Sequence, residues 1–170
     1  LLGNHTDYNG GSVLTTGVNM HVTVVARPID QPRVRVHAMA FDEACEFDWP
    51  LVPGYDTGPG WARYVSAVLA AIRQRDIDVP PFEAVIGGNL PIESGLSSSA
   101  ALESALARLA LLLAKRAMLT ADLARLLCEA ENRLVGVNCG ILDQYTVLAG
   151  QENHVLLLDC SQPCHQLLPW

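Results

Sequence analysis

The hydrophobic positions of this chain change period repeatedly, from alternation to helical spacing and back. Val13 to Arg27 is rich in Val and Thr and alternates loosely, which predicts a long or bulged strand ending at Pro28. Asp30-Gln31-Pro32 then turns the chain into Val34 to Ala40. There Val34, Val36 and Ala38 alternate with Arg33, Arg35 and His37, the pattern of a half-exposed strand. Asp42 to Gly60, rich in Pro, Gly and Asp, predicts a short edge strand and a loop. Apolar residues at Trp61, Val65, Val68, Leu69 and Ile72 follow a helical period through Gln74. Phe82 to Ile86 predicts a short strand, and Ser98 to about Ala117 an Ala/Leu-rich helix. Thr120 is a suitable N-cap for a helix running to about Leu134. Gly136 to Gly140 breaks that helix, Ile141 to Leu148 predicts a further short one, and His154 to Asp159 a last strand. With no repeat, no linker and no regular βαβ rhythm, the expected class is α+β. It would hold one mixed sheet with helices packed mainly on one face.

Composition narrows the picture. A length of 170 residues suits one domain with a real core and is short for two. Half the residues are apolar and 17% are charged, which favours packing over disorder. The net charge of −7, with no basic cluster against it, argues against a nucleic-acid or anionic-membrane surface. It does not exclude phosphate binding through backbone amides. The five cysteines (Cys45, Cys128, Cys139, Cys160, Cys164) are scattered and odd in number, which suggests a reducing, cytosolic setting rather than a disulfide framework. Cys160, Cys164 and His165 cluster without the further ligands that zinc needs. The longest apolar run, Leu109 to Ala114, is too short to span a membrane, and there is no signal peptide. The chain opens at Leu1-Leu2-Gly3 without a Met and reads as truncated at its start.

Two segments carry candidate chemistry. After the Val85-Ile86 strand come Gly87-Gly88, a loop, and Ser97-Ser98-Ser99 opening a helix. Free N–H groups and the positive end of the dipole make such a helix start an anion site. Gly95 permits close backbone approach, and the serine hydroxyls can meet phosphate oxygens or magnesium. The same serines also read as an ordinary cap with spares, and neither a Walker A nor a G-x-G-x-x-G pattern is present. Near the start, the polar turn Asn4 to Gly11 offers the carboxylate, imidazole and amide groups that sugar hydroxyls require. An exposed Asx turn has the same composition.

Three stretches together resemble one family. Pro91-Ile92-Glu93-Ser94-Gly95-Leu96-Ser97-Ser98-Ser99-Ala100-Ala101-Leu102 is similar to the phosphate loop of the GHMP kinases, a family that includes galactokinase, homoserine kinase, mevalonate kinase and phosphomevalonate kinase. Gly3-Asn4-His5-Thr6-Asp7-Tyr8-Asn9 resembles the galactokinase signature G-E-H-T-D-Y-N, with Asn4 standing at the Glu position. Ala130-Glu131-Asn132 through Cys139-Gly140-Ile141-Leu142-Asp143-Gln144 resembles a third galactokinase stretch. The motifs fall in family order across essentially the whole chain.

The resemblance implies a GHMP-kinase N-terminal domain over residues 1–170, of the fold also seen in the second domain of a small-subunit ribosomal protein. It implies transfer of the γ-phosphoryl group of ATP, with Mg2+, to the anomeric hydroxyl of galactose or a related sugar. By the same resemblance Asp143 is the catalytic base, and Asn4, His5, Asp7 and Gly140 contact the sugar. Gly95, Leu96, Ser97, Ser98, Ser99 and Ala100 hold the nucleotide, with Trp61 near the adenine. Glu131 with Ser98 or Ser99 holds the metal. Asn4 replaces a carboxylate by an amide and weakens one charge-assisted bond, so altered or weaker galactose binding is expected. Glu93-Ser94 stands where the family usually has two small residues, and a carboxylate facing triphosphate would oppose it. The family also has an upstream Arg and a C-terminal domain that these residues do not include. A chain ending here is expected to be nearly inactive alone, with the absent domain docking on it. A catalytically weak, galactokinase-like sugar- or nucleotide-binding or regulatory protein is the alternative of a different class, and a kinase of another small alcohol is a third.

Overall fold

Val13 to Arg27 does not form one strand. Val13 and Thr15 face inward in its first part, whereas the half-buried residues of its second part are Val22, Val24 and Ala26, and Val25 is 67% exposed. Odd positions point in, then even ones, and a continuous strand cannot make that exchange. The exposed residues from Gly17 to His21 absorb the change of phase. The Thr16 hydroxyl marks the exit from the first strand by donating to the His154 carbonyl at 3.0 Å.

A computed structural model describes residues 6–51, 59–92 and 94–170. In chain order the elements are a 3₁₀ turn (Asp7–Asn9), β1 (Ser12–Thr15), β2 (Val22–Pro28), β3 (Arg33–Ala38), β4 (Glu43–Asp48), α1 (Ala62–Arg73), β5 (Phe82–Gly88), α2 (Ser98–Leu113), α3 (Thr120–Ala130), a π-helical turn (Glu131–Val135), α4 (Leu142–Ala149), β6 (His154–Asp159) and β7 (Cys164–Pro169). The class is α+β, as expected, but the strands form two sheets rather than one. The chain divides into two compact units, Met20–Ala117 and Leu1–Asn19 with Met118–Trp170.

The first unit is built on a sheet of order β2-β5-β3-β4. β5 runs antiparallel to β2 and parallel to β3, and β4 closes the edge antiparallel to β3. Its alternation is the one read from sequence. Val34, Val36, Ala38, Phe47, Phe82 and Ala84 are buried on one face, while Arg35 and Glu46 are exposed on the other. Helix α2 packs beside β2 and α1 packs on α2, with Val65, Val68, Leu69 and Ile72 of α1 fully buried. Each such fully buried aliphatic side chain contributes about 1.5–3 kcal/mol. The open face carries ion pairs, Arg27 to Glu83 at 2.8 Å and Arg33 to Glu46 at 3.2 Å. Exposed pairs of this kind add little stability but keep a β surface polar. Helices on one face of this sheet therefore match the expectation. Helix α2 stops at Leu113 rather than near Ala117, because Lys115 adopts a left-handed φ of 54°.

The second unit has the antiparallel sheet β1-β6-β7 with α3, the π-helical turn and α4. Its core includes Val13, Leu123, Leu126, Leu127, Leu156 and Leu158. Three expectations change here. Thr120 is the first helical residue and not the cap; extended Leu119 (φ −64°, ψ 145°) holds that position and no side chain caps the helix. The helix to Leu134 is two pieces, with the backbone widening at Glu131. His154 to Asp159 is not the last strand, since β7 pairs with it through a turn. Asp159 shapes that turn by accepting from the backbone N–H and the hydroxyl of Ser161 at 2.9 and 2.6 Å.

Candidate active site

In the unit containing both chain ends, the signature turn is folded back on itself by its own backbone. Asn9 and Gly11 N–H groups both donate to the Thr6 carbonyl, at 3.1 and 2.9 Å. This sets Asp7 at the start of the 3₁₀ turn, half-buried. Its carboxylate meets the loop before α4. Oδ2 accepts from the Leu142 N–H at 3.4 Å and sits against the Cα of Gly140 so closely that a Cβ there would overlap it. Asp7 and Gly140, both expected to line the sugar, are thus brought together. Asp143 follows in the first turn of α4, exposed to solvent, where the helix dipole favours a carboxylate. Asn4 and His5 lie outside the described residues, as does Glu93.

Glu131, the expected metal ligand, is buried where α3 widens into the π-helical turn. Its Oε2 accepts from the Gln144 amide at 2.6 Å and from the Cys139 thiol at 3.2 Å. A carboxylate is a suitable hard ligand for magnesium. These two donors fix its orientation without neutralising its charge. Cys139 is held in turn by Asn132, whose Oδ1 accepts from the Cys139 N–H at 3.1 Å. The Asn132 Nδ2 donates to the carbonyls of Cys139 and Cys128 at 3.0 and 2.7 Å. Sequence alone assigns no role to Asn132, Gln144 or Cys139. Their only signal is membership of the same motif as Glu131 and Asp143.

The five thiols are free. A hydrogen bond to Cys128, burial and the Glu131 carboxylate push the Cys139 thiol well above the ordinary range, so it remains an S–H donor. Burial raises Cys45 to about 12 and Cys160 to about 11. Thiolate, not thiol, reacts with alkylating agents. At pH 8 iodoacetamide should therefore label exposed Cys164 first and spare Cys45, Cys139 and Cys160 until the chain unfolds, as peptide mass spectrometry would show. Early labelling of Cys139 would contradict the assigned hydrogen bonding.

In the unit Met20–Ala117, Gly95 has a φ of +73° with open space around the position of a Cβ. Ser97 follows in the left-handed region (φ 58°, ψ 43°) and makes no side-chain cap to α2. The first helical N–H bond of α2 is from Ala101 to the Ser97 carbonyl, at 3.0 Å. The amides of Ser98, Ser99 and Ala100 precede it, at the end of a helix that leaves such donors without intrahelical acceptors. The loop from Ser94 to Leu96 is exposed and the serines are half-buried. An uncapped helix start with three hydroxyls suits a phosphate group. Trp61 is buried, its indole N–H donates to Glu43 at 3.1 Å, and its ring stacks on Phe41 with centroids 6.5 Å apart. His165 meets the Tyr145 hydroxyl at 3.0 Å, and His37 lies 3.7 Å from Asp42. Among the described residues no group of three or more His, Cys, Asp or Glu could hold a metal ion, and no helix is long and apolar enough to cross a membrane.

An α+β fold with a serine-opened helix and a carboxylate-bearing turn narrows the class, and comparison with known proteins fixes it. The model for the GHMP kinases N terminal domain matches residues 63–151, and the chain belongs to the GHMP kinase family. The galactokinase galactose-binding signature matches residues 1–28. Within the family the similarity is to galactokinases. The chain is 37% identical over 166 residues to the galactokinase of Actinobacillus succinogenes, covering 94% of this chain and 42% of that one. It is 37% identical over 169 residues to the galactokinase of Chloroflexus aggregans, covering 99% and 43%. The crystal structure of Lactococcus lactis galactokinase complexed with galactose matches with a TM-score of 0.91 at 30% identity, covering 98% of this chain and 44% of that one. The chain thus spans less than half the length of these relatives.

Proposed function

We propose that this chain is the sugar- and nucleotide-binding part of an ATP-dependent kinase that phosphorylates the anomeric hydroxyl of galactose or a related sugar. The observation that carries the reading is the close approach of Gly140 and the Leu142 N–H to the Asp7 carboxylate. The missing side chain at Gly140 makes room for the Asp7 carboxylate, the Leu142 N–H orients it, and an acceptor held in this way suits a sugar hydroxyl. His5 and Asn4 complete the sugar-contacting set in this reading. Asn4 offers an amide where the galactokinase pattern has a carboxylate, so galactose binds more weakly than to a chain with Glu.

The nucleotide's phosphates are held by the amides and hydroxyls of Ser97, Ser98 and Ser99, with Gly95, Leu96 and Ala100 allowing close approach, and Trp61 lies on the adenine side. Glu131 and a loop serine, Ser98 or Ser99, are the residues that would hold magnesium, which would supply charge neutralisation on the phosphates. Asp143 orients the attacking hydroxyl and accepts its proton, since phosphoryl transfer asks the protein chiefly for positioning and charge. A cytosolic setting accords with ATP as co-substrate. The matched galactokinases extend well beyond the segment they share with this chain.

Calorimetry on the chain with galactose, glucose and magnesium-ATP tests the reading. Galactose should bind with preference over glucose, and magnesium-ATP should bind independently of it. Absence of any sugar binding would remove the reading. Binding without turnover, even in a chimera that carries the remaining length of a matched galactokinase, would favour a binding protein instead.

A further inference from the structure

We infer that Asn132 is a positioning residue for the sugar site, acting through the backbone of Cys139 on Gly140 and Asp7; the sugar part of this inference rests on the function proposed above. The Asn132 amide pairs with both backbone groups of Cys139. Its oxygen takes the N–H at 3.1 Å and its nitrogen gives to the carbonyl at 3.0 Å. This is the pairing that a neighbouring strand would supply, made here by one side chain. The second hydrogen of the same nitrogen goes to the Cys128 carbonyl at 2.7 Å, four residues back in α3. Every hydrogen-bonding direction of the amide except one lone pair is used, and the partners fix which end is nitrogen.

The geometry gives this clamp a consequence. The carbonyl of Cys139 is the peptide partner of the Gly140 nitrogen, so holding Cys139 on both sides fixes where Gly140 begins. Gly140 is the residue whose Cα lies against the Asp7 carboxylate, and Leu142, two residues on, donates to the same carboxylate. Residues 136–140 have no helix or strand of their own to hold them. The π-helical turn supports the clamp. Gly136 and Val137 N–H groups both donate to the Glu131 carbonyl, at 2.9 and 3.2 Å, which starts the loop directly after the turn. Glu131 and Asn132 thereby reach the same residue, one its thiol and the other its backbone. Single-turn π insertions commonly serve such local demands.

Asn132→Ala removes all three bonds, and Asn132→Asp keeps only the acceptor for the Cys139 N–H while turning a carboxylate toward two carbonyl oxygens. Backbone amide exchange of the intact chain reads the clamp directly. In both variants exchange at Leu142, whose N–H is bonded to Asp7, should rise roughly tenfold or more, with α3 and β6 amides unchanged. Galactose affinity by calorimetry should fall roughly tenfold in parallel. Unchanged exchange at Leu142, or a uniform rise through α3 and β6, would overturn the inference. A parent chain that binds no galactose would defeat the proposed function but leave the clamp to be decided by exchange alone.

Discussion

Gly140→Ala should weaken galactose binding by roughly 10- to 100-fold while the chain still folds, the range expected for losing a hydrogen bond to a charged group. Gly140 does not use glycine's special backbone freedom, because its φ lies outside the left-handed region. Alanine is therefore acceptable to the backbone. The obstacle is the Asp7 side chain, whose Oδ2 occupies the place of the added methyl and whose Oδ1 lies 3.0 Å from it. The carboxylate must turn away, and it then loses the Leu142 N–H and its aim at the sugar. Calorimetry measures the loss and thermal unfolding checks the fold. Adding Asp7→Ala to Gly140→Ala separates the causes. It relieves the overlap and should restore any lost stability, but it cannot restore binding. Near-normal galactose affinity in Gly140→Ala would mean that Asp7 does not hold the sugar.

The sequence made part of this legible. Val34, Val36 and Ala38 declared the buried face of β3 because that sheet is covered on one side only, so burial and alternation coincide. The same rule failed at Val13 to Arg27. There the Val and Thr content of both strands is alike, and only the exchange of inward parity separates them. β7 escaped notice because its half-buried Leu167 and Leu168 are adjacent rather than alternating. Nothing in Cys160 to His165 announces a hairpin except the Asp159 side chain that bonds Ser161. At the site, the motif named Asp7 and Gly140, but their contact joins segments 135 residues apart, as the Leu142 to Asp7 bond shows. No periodicity reports on such a pairing. Asn132 and Gln144 were unreadable for a different reason. An amide in a helix is usually a solvated side chain, and only the folded loop reveals which backbone groups it satisfies.

Asp143→Asn is the larger expected effect, a fall in turnover of about 10²- to 10⁴-fold. The measurement is made in the context of a full-length galactokinase. A chimera in which this chain replaces the matching segment of the Actinobacillus succinogenes galactokinase provides one. Asparagine keeps the size of the side chain and its exposed place in the first turn of α4. It removes the charge and the capacity to take a proton. Leu142 still donates to Asp7, so the sugar-contacting groups are undisturbed and KM for galactose should change little. A drop confined to kcat is the signature of a group that acts in the transition state. The pH profile divides its two possible duties. If Asp143 accepts the proton of the attacking hydroxyl, the acidic limb of kcat against pH disappears in the variant. If it only orients the hydroxyl, that limb persists at lower amplitude. Turnover close to that of the parent chimera would take Asp143 out of the mechanism altogether, and would leave Glu131 as the carboxylate of this unit for the transfer to depend on.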